Sequence, residues 1–221
     1  MKHLHILFFI SMIYGATKKE QLIIDFLEAR YSGNSILVKS MLADDFIYQH
    51  TPYSGLNITT SYSNGSLTVT GFISDDSVSN KLQIGDIIHE INGKTIPQVQ
   101  LPIRGPVGEA NQLIITRVGD STFTTDTLEL QLIQYNQNTE SFINDIIAYN
   151  QEWYNFHLEI INILSRKNQI MIHYHWEGSK TEEGPVFHFY AMELIQREKN
   201  TGLIKRIEGL WSEKQFRDQF R

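Results

Sequence analysis

The sequence has no cysteine, no cluster of basic residues and only one long apolar run, which lies at its N-terminus. The lack of cysteine excludes disulfides, thiolate metal ligands and thiol nucleophiles. The sequence contains 19 Lys and Arg residues and 25 Asp and Glu residues, which gives a net charge of −6. Such a diffuse acidic surplus excludes a nucleic-acid binder, because phosphate neutralisation needs clustered positive charge. The 221 residues suffice for one large core or two modest ones.

The N-terminal segment has the order of a secretory signal peptide. Met1–His3 carries positive charge, Leu4–Tyr14 is almost continuously apolar, and the small residues Gly15 and Ala16 follow. We therefore predict a signal peptide at residues 1–16, and the alternative is a buried N-terminal strand or helix. The apolar run is shorter than the roughly 20 residues that span a bilayer. We expect a secreted or periplasmic protein without a membrane span.

The next residues predict two short amphipathic helices. Apolar side chains recur at helical spacing from Leu22 to Leu27, and Arg30 continues the stripe. Ser35 is expected to cap the second helix, whose apolar face continues to Leu42.

Beyond residue 50 the composition changes twice. Residues 51–134 are rich in Gly, Ser, Thr and Asn, with turn signals at Asn64-Gly65 and Asn92-Gly93, and they predict a mostly β domain. Thr139 is the expected cap of a third helix. Four long strands are predicted after it, at residues 153–164, 169–177, 185–198 and 203–211. Helices followed by a long antiparallel meander indicate an α+β fold, which residues 17–50 and 139–215 complete if the middle domain is an insertion.

The middle domain resembles a PDZ domain of the kind attached to carboxy-terminal processing peptidases. Three ordered segments carry the resemblance, namely residues 53–58 (YSGLNI), 82–93 (LQIGDIIHEING) and 103–117, which begins IRGPVG and ends LIITR. The resemblance implies that Gly55, Leu56, Asn57 and Ile58 form a loop that binds the carboxylate of an extended or C-terminal peptide. Only residues 94–102 occupy the place of the family's groove-lining helix. A degenerate PDZ domain that serves as a structural spacer is therefore an alternative.

The flanking parts resemble the NTF2-like (SnoaL-like) fold, in which helices pack on a strongly bent antiparallel sheet around a cone-shaped pocket. The hairpin Phe156–Tyr174, with Gly202 opening the final strand, is its best signature. The resemblance implies a pocket for a small apolar ligand or a dimerising sheet, because such folds serve both isomerases and non-catalytic modules.

Several side chains are candidates for acid–base catalysis in such a pocket. NTF2-like enzymes use His, Asp and Tyr in apolar cavities, where burial shifts pKa values toward neutrality. The candidates here are Asp45, Tyr48, His50, His173, His175 and His188. His173, His175 and Glu177 alternate on one strand face, a pattern that also suits a metal site or a plain polar stripe. We predict no metal and no cofactor.

The sequence as a whole predicts an exported, non-catalytic binding protein. In this interpretation the PDZ-like domain binds a peptide, and the NTF2-like domain supplies a ligand pocket or a homodimer surface. The alternative is a small-molecule isomerase or lyase that uses the His and Asp side chains of the cavity.

Overall fold

A computed structural model describes residues 16–73 and 81–211, with Trp211 described in its backbone alone. The chain divides into two compact units. Unit 1 takes its described residues from Met1–Gln49 and Asn136–Arg221, and unit 2 is His50–Tyr135. The predicted signal peptide lies outside the described residues except for Ala16, so export stays a prediction. Within the described ranges, no helix has the length and apolarity needed to cross a membrane.

Unit 1 begins with two helices, α1 (Lys18–Tyr31) and α2 (Ser35–Met41). Helix α1 starts at a capping box, in which the Thr17 hydroxyl accepts from the Glu20 backbone N–H and the Glu20 carboxylate accepts from the Thr17 N–H. Helix α2 is capped by the Asn34 side chain, one residue before the predicted cap. Asparagine and serine are about equally good caps, so the sequence alone did not separate these neighbours.

Strand β1 (Leu42–Gln49) follows α2 without a loop. Phe46 and Tyr48 are buried, whereas Asp44 and Asp45 are exposed. A β-bulge interrupts the alternation of this strand, which explains why the sequence pattern continued the helix and contained no strand here.

Unit 2 consists almost entirely of antiparallel β-strands. Its elements are β2 (Tyr53–Gly55), β3 (Ile58–Ser63), β4 (Ser66–Phe72), β5 (Ile87–Ile91), β6 (Lys94–Thr95), a 3-10 turn (Ile96–Gln98), β7 (Ala110–Thr116), β8 (Phe123–Glu129) and β9 (Gln131–Ile133). The main sheet has the order β3-β4-β5-β7-β8, with β6 paired to β5, and β2 pairs with β9 separately. A core of Leu, Ile and Val side chains fills this unit.

Unit 1 resumes at β10 and ends in a long meander. Its elements are β10 (Asn136–Gln137), α3 (Thr139–Glu152), β11 (Asn155–Arg166), β12 (Gln169–Ser179), β13 (Val186–Arg197) and β14 (Ile204–Trp211). The predicted third helix and the four predicted strands all form, with ends displaced by at most a few residues. Their strong periodicity explains this agreement.

The six-stranded sheet of unit 1 is mixed. Its order is β10-β1-β14-β13-β12-β11, and β1 runs parallel to β14 whereas every other pair is antiparallel. The fold class is therefore α+β, as predicted, but the fully antiparallel sheet is corrected to a mixed one. The parallel pair joins strands from opposite ends of the chain.

The helices of unit 1 cover one face of this sheet, which we call the inner face. Phe26 and Phe142 from the helices belong to the same buried core as Ile172, Tyr174 and Trp176 of β12. The alternate residues of β12 point to the opposite, outer face. Among the described residues, the side chains of β12 that join the core of unit 1 therefore lie on the inner face.

Candidate functional site

Five polar side chains meet in the interior of unit 1, and we call them the carboxylate–tyrosine cluster: Arg30, Tyr31, Tyr48, Tyr174 and Glu193. Arg30 Nη1 donates to Glu193 Oε1 at 2.8 Å, and the Tyr174 hydroxyl donates to the same oxygen at 3.1 Å. The Tyr31 and Tyr174 hydroxyls are 2.8 Å apart. Arg30 Nη2 reaches the Tyr48 hydroxyl at 3.5 Å.

The fold places each of these side chains on a face that points inward. Glu193 follows Phe187, Phe189 and Ala191 in the buried alternation of β13, and it is only 2 % exposed. Arg30 and Tyr31 end helix α1, which packs against that face. A buried carboxylate is costly unless it is paired and hydrogen-bonded, and Arg30 and Tyr174 supply those partners.

Aromatic rings surround the Arg30 guanidinium. Its central carbon lies 5.2 Å from the ring centre of Tyr31, 5.1 Å from that of Tyr48 and 5.2 Å from that of Phe142. Although burial lowers the pKa of Arg30, the Glu193 carboxylate and the neighbouring tyrosine oxygens together more than offset this effect, and the pKa lies well above its ordinary value. Arg30 therefore stays charged and fixes the orientation of the carboxylate.

The tyrosines of the cluster are neutral donors. Burial raises the pKa of Tyr31, Tyr48 and Tyr174 above the ordinary phenol value, because the phenolate would lose its hydration. Since Tyr174 donates its proton to Glu193, Tyr31 is the donor in the bond between the two tyrosines. The hydrogen bonds thus run from Tyr31 through Tyr174 to the carboxylate.

Three buried polar atoms of this interior have no hydrogen-bond partner among the described residues. They are Glu193 Oε2, the Tyr149 hydroxyl and Trp176 Nε1. The rings of Tyr149 and Trp176 meet edge to face, with their centroids 6.0 Å apart. Burial also raises the pKa of Tyr149, so this hydroxyl is a neutral donor too. Unpaired buried polar groups are rare in folded proteins, and a catalytic role is one of the reasons for which they occur.

Gly209 makes room for the Tyr48 hydroxyl, so we predict that Gly209→Ala destabilises unit 1. An added Cβ would lie 2.9 Å from that oxygen, and overpacking a buried site costs about 1–3 kcal/mol. Urea denaturation measures the change. Tyr48→Phe removes the oxygen that the new Cβ would crowd, and the nearest ring carbon, Cζ, would then lie 3.6 Å from that Cβ. The double variant Gly209→Ala with Tyr48→Phe should therefore regain stability relative to Gly209→Ala alone. Equal losses in the single and double variants would contradict the prediction.

The structure separates the six predicted catalytic candidates. Tyr48 belongs to the cluster. Asp45 is exposed and pairs with Lys205 at 2.6 Å, a hydrogen bond that lowers the pKa of Asp45. His50 lies in unit 2, where its ring is 5.0 Å from that of Tyr135.

The other three candidates, His173, His175 and His188, lie on the outer face. The His175 ring stacks on Tyr190 with centroids 4.4 Å apart and lies 5.6 Å from the ring of His188. The strand alternation turns these side chains away from Tyr174 and Glu193. Their catalytic role and a homodimer through this face both stay predictions.

Metal ligands do not converge in the described part of the chain. Among residues 16–73 and 81–211, no three His, Asp or Glu side chains are grouped so that they could hold a metal ion. The reactive groups that do lie together in unit 1 are the Glu193 carboxylate and the neutral tyrosine hydroxyls of the cluster.

The four predicted peptide-binding residues line a cavity of unit 2. Gly55, Leu56, Asn57 and Ile58 border a volume of about 160 Å³, together with Ile, Leu and Pro side chains. Their role in peptide binding stays a prediction. Arg104 lies beside the cavity, with its guanidinium 4.4 Å from the ring centre of Tyr53.

The sequence pattern did not identify four of the five cluster residues as site residues, but two signals were present. Arg30 continues an apolar helical stripe, and Glu193 interrupts an apolar series of inward positions on β13. A charge at such a position requires a buried partner. Which residue is the partner could not be read from the sequence.

The sequence matches no protein family and no curated protein. Among solved structures, the chain is similar to a putative SnoaL-like polyketide cyclase from Shewanella putrefaciens, with 8% identity, 93% of this chain and 86% of that chain covered, and a TM-score of 0.47. It is similar to AusH from Aspergillus nidulans, with 10% identity, coverage of 90% and 88%, and a TM-score of 0.45. It is also similar to SalBIII, an epoxide hydrolase/cyclase-like enzyme described in pyran ring formation in salinomycin, with 8% identity, coverage of 90% and 93%, and a TM-score of 0.41.

These similarities correct the main functional prediction. The chain was predicted to be a non-catalytic protein whose PDZ-like domain binds a peptide, but the similar structures are named as cyclase and epoxide hydrolase/cyclase-like proteins. In addition, only the 3-10 turn Ile96–Gln98 occupies the place of a groove-lining helix.

Proposed function

We propose that unit 1 is a small-molecule isomerase or lyase in which Glu193 is the general base. One observation carries the proposal: Glu193 Oε2 is buried and has no hydrogen-bond partner among the described residues, beside a set of neutral phenols. A base that keeps one oxygen free of hydrogen bonds in a buried site is suited to removing a proton from carbon.

The two oxygens of Glu193 have different roles in this proposal. Oε1 accepts from both Arg30 and Tyr174, which hold the carboxylate in one orientation. Oε2 is thereby left as the oxygen that receives a proton. Arg30 and Tyr174 position the base and do not themselves transfer the substrate proton.

The Tyr149 hydroxyl and Trp176 Nε1 would stabilise the negative charge that forms on the substrate. When a proton leaves the carbon beside a carbonyl, charge develops on the carbonyl oxygen, and fixed neutral donors stabilise it strongly in an apolar site. The raised pKa of Tyr149 keeps its proton available for this hydrogen bond. Trp153 and Phe189 pack on Trp176 with ring centres 4.8 and 5.1 Å away, so the surroundings favour an apolar, aromatic substrate.

The proposed reaction is therefore proton abstraction next to a carbonyl group. Glu193 Oε2 takes the proton, and the electron pair moves into the enolate, whose oxygen accepts hydrogen bonds from Tyr149 or Trp176. Return of the proton to a different carbon gives an isomerase, and loss of a leaving group gives a lyase. Both outcomes use the same base and the same donors.

Exchange of α-protons in D₂O tests the proposal. With β-tetralone, an enolisable aromatic ketone, as the probe, NMR should show exchange faster than in buffer. Glu193→Gln should slow the catalysed exchange about a hundredfold or more, because a general base contributes roughly 10²–10⁴. Tyr174→Phe should reduce it less, since it alters the position of the base only.

Glu159→Gln is the matched control, since Glu159 is an exposed glutamate of the neighbouring sheet region and should leave exchange unchanged. Far-UV circular dichroism checks that each variant is folded. If folded Glu193→Gln exchanged β-tetralone as fast as the unmodified protein, or if the unmodified protein did not exceed buffer, the proposal would be wrong.

We also propose that unit 2 has a PDZ-like fold inserted into an NTF2-like one. The strand β5 and the Asn92-Gly93 turn that follows it coincide with the second quoted segment, and β7 with the end of the third. The proposal concerns the fold alone and assigns no peptide partner. Nuclear Overhauser contacts between β5 and β7 and between β5 and β4 would test the strand order.

A further inference from the structure

Two hairpin turns of unit 2 have the same sequence and the same backbone geometry. Asn64-Gly65 joins β3 to β4, and Asn92-Gly93 joins β5 to β6. The φ angles are 51° at Asn64 and 53° at Asn92, and 79° and 72° at the two glycines. Both are two-residue turns of the type that Asn-Gly favours. The pair therefore serves as an internal comparison.

The side-chain amides of the two asparagines differ. Asn92 Nδ2 donates to Asn111 Oδ1 at 2.9 Å, and Asn92 Oδ1 accepts from the Gln112 backbone N–H at 2.9 Å. Asn64 is exposed, and no hydrogen bond within the described residues involves its amide. One amide is held at both ends, and the other is free to rotate.

Steric access does not distinguish the two turns. A Cβ built on Gly65 would find its nearest atom, Pro97 Cγ, at 3.9 Å, and one built on Gly93 would find nothing within 4 Å. Asn64 and Asn92 are both exposed to water. The hydrogen bonds of Asn92 are therefore the main difference.

We propose that Asn64 is a site of spontaneous deamidation and that Asn92 is protected from it. The Gly65 backbone nitrogen attacks Asn64 Cγ, so that the N–Cγ bond forms, the Cγ–Nδ2 bond breaks and ammonia leaves with the proton of the attacking nitrogen. Water then opens the cyclic imide. Cleavage of the N–Cγ bond gives aspartate, and cleavage of the bond to the main-chain carbonyl gives isoaspartate.

The product would alter the tip of the β3–β4 hairpin. Either product adds one negative charge at a position that is neutral in the unmodified chain. Isoaspartate also lengthens the backbone by one methylene between Ser63 and Ser66, which are cross-strand partners. A two-residue turn sets the register of its hairpin, so this product should loosen the pairing at that end. The proposal is independent of the function proposed for unit 1.

Peptide mapping by mass spectrometry tests the proposal on the full chain, incubated at mildly alkaline pH under native conditions. Asn64 should convert about thirtyfold faster than Asn92, because Asn92 must first break two hydrogen bonds of ordinary strength. In denaturant the two rates should converge, since the local Asn-Gly sequence is the same. Equal native rates, or a difference that persists in denaturant, would overturn the proposal.

Asn111→Ala provides the matched variant. It removes the acceptor of Asn92 Nδ2 and should speed conversion of Asn92 about fivefold, with no change at Asn64. If Asn111→Ala is folded and the rate at Asn92 is unchanged, the hydrogen bond does not protect this residue and the proposal fails. If this variant does not fold, the comparison of native and denatured wild-type chain decides alone.

Discussion

Replacing Arg30 by methionine should lower the free energy of unfolding of unit 1 by about 3–5 kcal/mol, as expected when one partner of a buried ion pair is removed. The substitution leaves the Glu193 carboxylate buried, with the Tyr174 hydroxyl as the remaining donor to Oε1. Methionine fills much of the volume between Tyr31, Tyr48 and Phe142, so loss of the charge dominates over loss of packing. Urea denaturation followed by circular dichroism measures the change.

A double variant isolates the cause of this loss. Arg30→Met combined with Glu193→Leu removes both charges, and such pairs are often replaced by apolar residues at little cost. The double variant should therefore be more stable than Arg30→Met alone. Lys205→Met is the exposed control, since it breaks the surface pair with Asp45 and should change stability little. A double variant as unstable as Arg30→Met would show that packing, not the unpaired carboxylate, explains the loss.

The same ion pair shows why the candidate site could be predicted only in part. Arg30 and Glu193 are 163 residues apart in sequence, on a helix and a strand that have no local relation. The sequence shows that each is a charged residue among apolar positions, Arg30 on a helix and Glu193 on a strand. Only the folded core shows that the two side chains are partners. Conversely, the histidines drew attention because they are close in sequence, although strand alternation turns His173 and His175 away from the core.

The fold itself was predictable where the pattern is local and strong. Apolar spacing identified α1, and alternation with intervening turn residues identified β11 to β14. Strand β1 was missed because its bulge breaks the alternation and its neighbour β14 lies at the other end of the chain. The parallel pairing of β1 with β14, which makes the sheet mixed, therefore could not be predicted from local sequence patterns.

Excision of residues 50–135, with Gln49 joined to Asn136 through a new Asn-Gly turn, should leave unit 1 folded. Gln49 and Asn136 are cross-strand partners in the antiparallel pair β1–β10, so a two-residue turn can close them. The units have separate cores, and the His50 N–H donates to the Tyr135 carbonyl at 3.0 Å, so the ends of unit 2 already meet. We expect the shortened chain to unfold in one cooperative transition with a stability within about 1 kcal/mol of that of unit 1 in the full chain, because no loop-closure cost is added.

A shifted excision is the matched control for this prediction. Removing residue 136 as well, with the same turn, slips the strand register by one residue and turns the Gln137 side chain to the other face. In the full chain Gln137 is buried and donates to Asp145 at 2.6 Å, so the shifted variant should be clearly less stable. If both shortened chains were unfolded, the core of unit 1 would depend on unit 2. If both were equally stable, the β1–β10 pairing would contribute nothing to it.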